Sequence, residues 1–372
     1  QAWQIGKYVV DDYSRLETGL KGIAKLMENN QWDEAASQIS IIVSNTNIID
    51  DPKFKEFAIK KWENIFEKII ESSNVDSIAQ KIPLDPPFKK SLYDGVLDFY
   101  LKRKNMDSFV RLLKKWPPRL FSTRHFEDRL EESIEEHDSS EISYREAIIY
   151  LYLSESRYSK AVSHMLVARD IRALDILLSH SLISQFKDKI IDIVLLPYDG
   201  NLRELARMHI SEIEQIFDKP IELLVQSRHS LKISDMIALF TKSEDLRVIL
   251  FLYLKKISTI DPVSCAPFEN KLIELYALFD KDHLLNFLKS RSNYDAEEAI
   301  EFCSKQKGFS GELIYLWGKI GENKKALSLI IDDLNDPHLA IEFVKNWGDS
   351  DLWEFMIGYS TVSYTHLTLP TN

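Results

Sequence analysis

AEEAIEFCSKQKGFSGELIYLWGKIGENKKALSLIIDDLNDPHLAIEFVKNWGDSDLWEFMIGY, running from Ala296 to Tyr359, repeats one apolar spacing five times in succession. The quartets are Ala296/Ala299/Ile300/Cys303, Leu313/Leu316/Trp317/Ile320, Leu327/Ile330/Ile331/Leu334, Ala340/Phe343/Val344/Trp347 and Leu352/Phe355/Met356/Tyr359. Each follows i, i+3, i+4, i+7, which sets four side chains on one face of an α-helix. Their starts lie 17, 14, 13 and 12 residues apart, so every predicted helix is short and the next begins almost at once. Such a helix cannot bury its stripe alone; it must lean on its neighbours, and a run of them builds a solenoid.

Working outward, the same spacing recurs in Trp32/Ala35/Ala36/Ile39, Tyr93/Val96/Leu97/Tyr100, Met106/Phe109/Val110/Leu113 and Tyr158/Ala161/Val162/Met165. Two of these put an aromatic first and an alanine three residues later, a large–small pairing that lets helices approach closely. Short polar joints precede them: Glu28-Asn29-Asn30 before Trp32, and Ser154-Glu155-Ser156-Arg157 before Tyr158. Helix, joint, helix is the antiparallel hairpin unit. Three prolines between Pro83 and Pro87 exclude helix interior there, and Trp116-Pro117-Pro118 ends the helix carrying Met106. Pro197-Tyr198-Asp199-Gly200 is a turn signal, while Asp336-Pro337 and Asp261-Pro262 read as an N-cap followed by proline. The predicted fold is all-α: an α-solenoid of stacked short antiparallel helix hairpins over residues 16–360. No linker or low-complexity block interrupts it. Residues 1–15 are a poorly defined lead-in. Residues 361–372 lack a helical stripe and resemble a translated sequencing adaptor, so they are set apart as non-native.

Composition agrees. Among 372 residues, 45% are hydrophobic, enough for a long core, whereas 11 Gly and 12 Pro are few for an all-β protein. A formal charge of −11 disfavours nucleic acid as the main partner. Two distant cysteines, Cys265 and Cys303, exclude a disulfide framework and suit a reducing compartment. The longest apolar runs, Ala147–Leu153 and Val248–Leu254, hold seven residues, far short of the about 20 that span a bilayer. Beginning with Gln1 rather than Met, the sequence is expected to be a fragment.

Catalytic patterns are scarce. Asp332-Asp333-Leu334-Asn335-Asp336 spells the Asp-Asp-x-x-Asp of magnesium-dependent isoprenoid synthases, making Asp332, Asp333 and Asp336 the one enzymatic alternative. Against it, the motif straddles two short helices, and no second acidic motif accompanies it. Nine scattered histidines form no metal spacing, and no phosphate loop or nucleophile elbow is present. No catalytic, cofactor-binding or metal-binding residue is therefore assigned, and no cofactor is expected. Charge patterning offers a binding surface instead. Lys89 to Arg124 carries ten basic and three acidic residues, net +7; Glu127 to Glu141 carries eight acidic and one basic, net −7. Most such runs are solvated faces. The functional reading is a patch, centred on Lys102, Arg103, Lys104, Lys114 and Lys115, that steers a partner or meets anionic lipid.

Ala340-Ile341-Glu342-Phe343, Asp351-Leu352-Trp353-Glu354, Ile357 and Tyr359-Ser360 resemble the clathrin heavy-chain-type repeat of the vacuolar protein sorting-associated protein 41 family. Glu312 to Leu316, Asn323 to Leu327 and Leu112 to Pro117 are similar to the same region, and the likeness extends from Leu16 to Ser360. That family belongs to the HOPS tethering complex, which bridges vesicles, late endosomes and the vacuole or lysosome before fusion. The resemblance implies a non-enzymatic scaffold arm that binds other HOPS subunits and vesicle adaptor proteins. Its implied location is cytoplasmic, peripheral on late endosome and vacuole or lysosome membranes. Full-length members resemble a β-propeller, this solenoid and a RING-like zinc module; Rab GTPase binding belongs to the propeller end and zinc to the RING-like end. Neither is carried onto residues here. A clathrin-like coat or another tether subunit is the near alternative.

Overall fold

The computed structural model describes residues 2–46, 52–71, 75–77, 79, 81, 82, 84, 88–136, 142–205 and 208–358. Helices follow one another along the described residues, joined by short turns, and no strand occurs among them. The all-α solenoid is what the structure shows. No helix among the described residues is long and apolar enough to cross a membrane. Contacts divide the chain into two compact units, Gln1–Ile176 and Leu177–Asn372, with the division falling inside helix Arg172–Ser179.

In the first unit, helix Ala2–Glu28 packs on Trp32–Thr46, and Pro52–Glu71 on Lys90–Lys102. Lys90–Lys102 then pairs with Met106–Lys115, and Thr123–Glu136, Ile142–Ser154 and Tyr158–Val167 continue the stack. Tyr93, Val96, Leu97 and Tyr100 are all buried, as are Met106, Phe109, Val110 and Leu113. The run Ala147–Leu153 is apolar on every side because Ile142–Ser154 touches the helices before and after it and Met106–Lys115 besides.

The second unit repeats the design. Ile210–Gln226, Arg247–Ile260, Glu269–Phe279 and Ala296–Ser304 each touch the next. Arg247–Ile260 lies inside this array, and all of Val248 to Leu254 is buried. Phe251 meets Tyr276 edge to face at 4.9 Å. The five C-terminal quartets fall on Ala296–Ser304, Ser310–Lys319, Asn323–Leu329 with its continuation Ile330–Leu334, Pro337–Trp347 and 350–358. Three of the fourth members deviate: Ile320, Leu334 and Trp347 are exposed, whereas Cys303 is buried. Each of the three sits at or just past the end of its helix, and the Trp347 ring still lies against Gly318. Tyr359, most of Pro83 to Pro87 and residues 361–372 lie outside the described residues.

Five joints share one backbone device. Asn30, Lys104, Ser156, Arg169 and Gly321 are left-handed, with φ of 59°, 56°, 60°, 53° and 84°. The amide after each donates to the carbonyl five residues back: Gln31 to Leu26, Asn105 to Tyr100, Arg157 to Tyr152, Asp170 to Met165 and Glu322 to Trp317, at 2.8–3.0 Å. The left-handed residue's own amide donates three back, as Ser156 does to Leu153 at 3.1 Å. This is the Schellman motif, which satisfies the last carbonyls of one helix while turning the chain into the next. The expected caps also form: Asp336 Oδ1 accepts from the amides of His338 and Leu339 at 3.0 and 3.1 Å, and Asp261 from that of Ser264 at 3.2 Å.

Candidate interaction surfaces

Buried or half-buried acidic side chains tie several hairpins to the one that follows. Glu63, buried, accepts from the Lys89 amide at 2.9 Å. Asp94 accepts from both the amide and the hydroxyl of Ser122, each at 2.7 Å. Glu127 receives Arg157, and buried Glu269 receives the Asn293 amide at 3.1 Å. Lys255 Nζ is held between Glu214 Oε1 at 3.0 Å and Asp280 Oδ2 at 3.1 Å, with His283 on the other Asp280 oxygen at 2.6 Å. Burial alone would push the Asp280 carboxyl up; the bonds from His283 and Lys255 outweigh it and hold the group below the ordinary aspartate range. These groups are spent on the fold.

The basic patch divides in space. Lys102, Arg103 and Lys104 are exposed at the joint after Lys90–Lys102, where the Arg103 guanidinium lies 4.1 Å from the Phe99 ring centre. Lys114 and Lys115 stand at the far end of Met106–Lys115, a ten-residue helix about 15 Å long. There Lys114 pairs with Glu146 at 2.5 Å, and the Tyr93–Trp116 ring contact at 5.1 Å marks the return toward Lys89 and Lys90. The five residues thus form two clusters at opposite hairpin ends. Part of the acidic run is structural as well: Glu127 serves Arg157, and Glu131 accepts from the Tyr152 hydroxyl at 2.6 Å and faces His164 at 3.3 Å, while Asp128, Glu132 and Glu135 are exposed. Burial pulls the His164 imidazole below its ordinary value. Asp138 and Glu141 lie outside the described residues.

Asp332 and Asp333 lie in the π-helical turn Ile330–Leu334, and Asn335 then reverses the backbone at φ 48°. Asp333 accepts from the Ser310 hydroxyl, and Asp336 caps the next helix. Among the described residues, no three His, Cys, Asp or Glu side chains are grouped to hold a metal ion. Cys265 and Cys303 are buried, and burial pushes both thiols up to about 11, so neither is a nucleophile at neutral pH.

One concavity escaped the sequence reading. A groove of about 650 Å³ runs from Ser234 and Ile237 across Pro267 and Phe268 to Ala299 and Phe302. Its cause lies in the second arms of the hairpins. Ile233–Phe240, Lys281–Ser290 and Ser310–Lys319 have 8, 10 and 10 residues, whereas Pro262–Cys265 has only 4 before a 3-10 turn, Ala266–Phe268. Pro267 denies the helix a backbone donor at that point. Asp261-Pro262 followed so soon by Pro267 was the available signal.

Sequence comparison agrees with this architecture. The family model described as the Vps41 TPR-like region matches residues 17–369. The chain belongs to the Vps41 family. It is 44% identical over 375 residues to vacuolar protein sorting-associated protein 41 of Saccharomyces cerevisiae, covering 97% of this chain and 38% of that protein. The Vps41 homologues of Mus musculus and Homo sapiens are 25% and 26% identical, each covering 96% of this chain and 38% of its own length. The chain therefore spans well under half the length of these Vps41 relatives.

Proposed function

We propose that the chain is a non-enzymatic scaffold arm in vacuolar protein sorting, part of the HOPS membrane tether that supports vesicle docking and fusion at late endosomes and the vacuole or lysosome. The observation that carries this reading is membership of the Vps41 family along nearly the whole chain, on an architecture whose apolar stripes are consumed between repeats. What remains for partners is the outward face, polar over most of its extent, a surface for holding other tether subunits and vesicle adaptors rather than for turnover. Attachment to membrane is peripheral in this reading, from the cytoplasmic side. The aspartates of the isoprenoid-type motif support it too, since Asp336 caps a helix and Asp333 holds Ser310.

Affinity capture with the chain as bait, followed by identification of co-purifying proteins, tests the proposal. Recovery of tether subunits supports it; assembly of the chain into a lattice, or magnesium-dependent turnover of a prenyl diphosphate, would replace it. The joint cluster adds a narrower test. Reversing Lys102, Arg103 and Lys104 to Glu should weaken partner or liposome capture at low salt, and unchanged capture returns the cluster to plain surface.

A further inference from the structure

We propose that the groove between Ile237, Phe268 and Phe302 docks a peptide segment of another protein that carries large apolar anchors flanked by lysine or arginine. The apolar part follows from its floor. Ile237, Phe268 and Phe302 are half-buried and line the same concavity, with Ile273 and Ala299 buried beneath them. The volume of about 650 Å³ falls within the roughly 300–1,000 Å³ of ligand pockets, but one side is open to solvent, which suits a chain segment better than an enclosed small molecule. Glu298 to Lys305 runs along one wall for about 10 Å, two helical turns, which is room for anchors spaced i and i+3 or i+4.

The basic part follows from the rim. Lys271 and Lys305 are its positive groups, and both are already neutralised: Lys271 Nζ lies 2.6 Å from Glu274, and Lys305 Nζ 2.6 Å from Glu301. Glu298 meets only the neutral amide of Asn270. Of the charged lining residues, Glu274, Glu298 and Glu301 outnumber Lys271 and Lys305, so the rim keeps one net negative charge. A segment with basic flanks gains from this edge; an acidic segment, a nucleic acid or an anionic lipid surface is repelled by it. The inference goes beyond the tethering role and stands without it, because the selectivity lies in the groove itself.

The test is selection of a random displayed peptide library on the intact chain, with counter-selection on Glu298→Lys/Glu301→Lys. Enriched sequences should combine aromatic or aliphatic anchors with Lys or Arg flanks. A synthetic copy should lose about tenfold in affinity on Phe302→Ser and on the double charge reversal, and should weaken as salt is raised. Replacing its anchors by alanine should abolish binding. Enrichment of acidic or uncharged flanks, affinity indifferent to either variant, or no enrichment at all overturns the proposal. Should Phe302→Ser lower the melting temperature sharply, the double reversal decides alone, since Glu298 and Glu301 are exposed. Failure of the chain to capture tether subunits leaves this outcome untouched.

Discussion

Replacing Ser156 by glycine should stabilise the first unit, while replacing Gly321 by alanine should destabilise the second, although both positions do the same job. Ser156 holds φ at 60° and Gly321 at 84° within matching Schellman turns. An L-residue in the left-handed region costs about 1–2 kcal/mol, from Cβ against the following carbonyl. Glycine removes that cost but frees the unfolded chain by roughly 0.5 kcal/mol. Ser156→Gly therefore gains about 1 kcal/mol. At Gly321 a new Cβ meets nothing within 4 Å, so the substitution adds backbone strain without a clash, a net loss of about 1 kcal/mol. For units of this size the thermal midpoints should move by about 2–4 °C, up for Ser156→Gly and down for Gly321→Ala. Scanning calorimetry of the two single variants, with Ser156→Ala as a near-neutral control, measures both. A lower midpoint for Ser156→Gly, or an unmoved one for Gly321→Ala, would show that these joints do not close as Schellman turns.

Phe251→Ala empties a fully buried site against Tyr276 and Phe279 and should cost about 3–5 kcal/mol in chemical denaturation. Asp94→Ala leaves the Ser122 amide without its carboxylate and should cost about 1–3 kcal/mol. Hydrogen exchange should then quicken around Lys90–Glu136 and stay unchanged from Glu269 onward, whereas a chain-wide increase would contradict nearest-neighbour coupling. Asp280 is depressed in the fold below its ordinary 3.8, so on acidification the unfolded chain takes up its proton first. Its contribution is present above about pH 4 and is lost as pH falls through the folded value. Asp280→Asn should flatten that acid limb in a pH series of urea midpoints. Cys265 and Cys303, with thiols near 11, should resist alkylation at neutral pH until the second unit unfolds.

Helical stripes were legible because i, i+3, i+4, i+7 survives any choice of neighbour: Phe109, Leu113, Ala161 and Met165 are all fully buried. Stripe ends were not, since the spacing shows where apolar residues recur but not how far a neighbour covers them: Cys303 is buried, while Ile320 and Trp347 are exposed. Joints were half legible. Polar residues marked them, yet the left-handed slot holds Asn30, Lys104, Ser156 and Arg169, where glycine would have announced it. Pro220 misleads in the opposite sense. It lies buried inside Ile210–Gln226, where packing on Arg247–Ile260 outweighs a helix-interior cost of about 3 kcal/mol. The basic patch was legible as charge and misleading as geometry, because ten residues of helix separate Lys104 from Lys115. The groove required knowing that one arm has shrunk to four residues.

The interior acids explain how a chain at −11 keeps a stacked fold without a single dominant core. Glu63 to Lys89, Asp94 to Ser122, Glu127 to Arg157 and Glu269 to Asn293 reach 26, 28, 30 and 24 residues forward, close to one hairpin length each time. A buried carboxylate aimed at an amide or guanidinium costs stability if its partner is lost, so each bond penalises misplacement of the following hairpin by a turn. Apolar stripes alone do not supply that register, because a quartet shifted by one helical turn still meets an apolar surface. Placing the register-setting charges inside leaves the exposed groups free to change sign from one stretch to the next, from Lys102, Arg103 and Lys104 to Asp128, Glu132 and Glu135. The scaffold role proposed above would draw on that separation of duties, because different surfaces could then be presented at one fixed spacing.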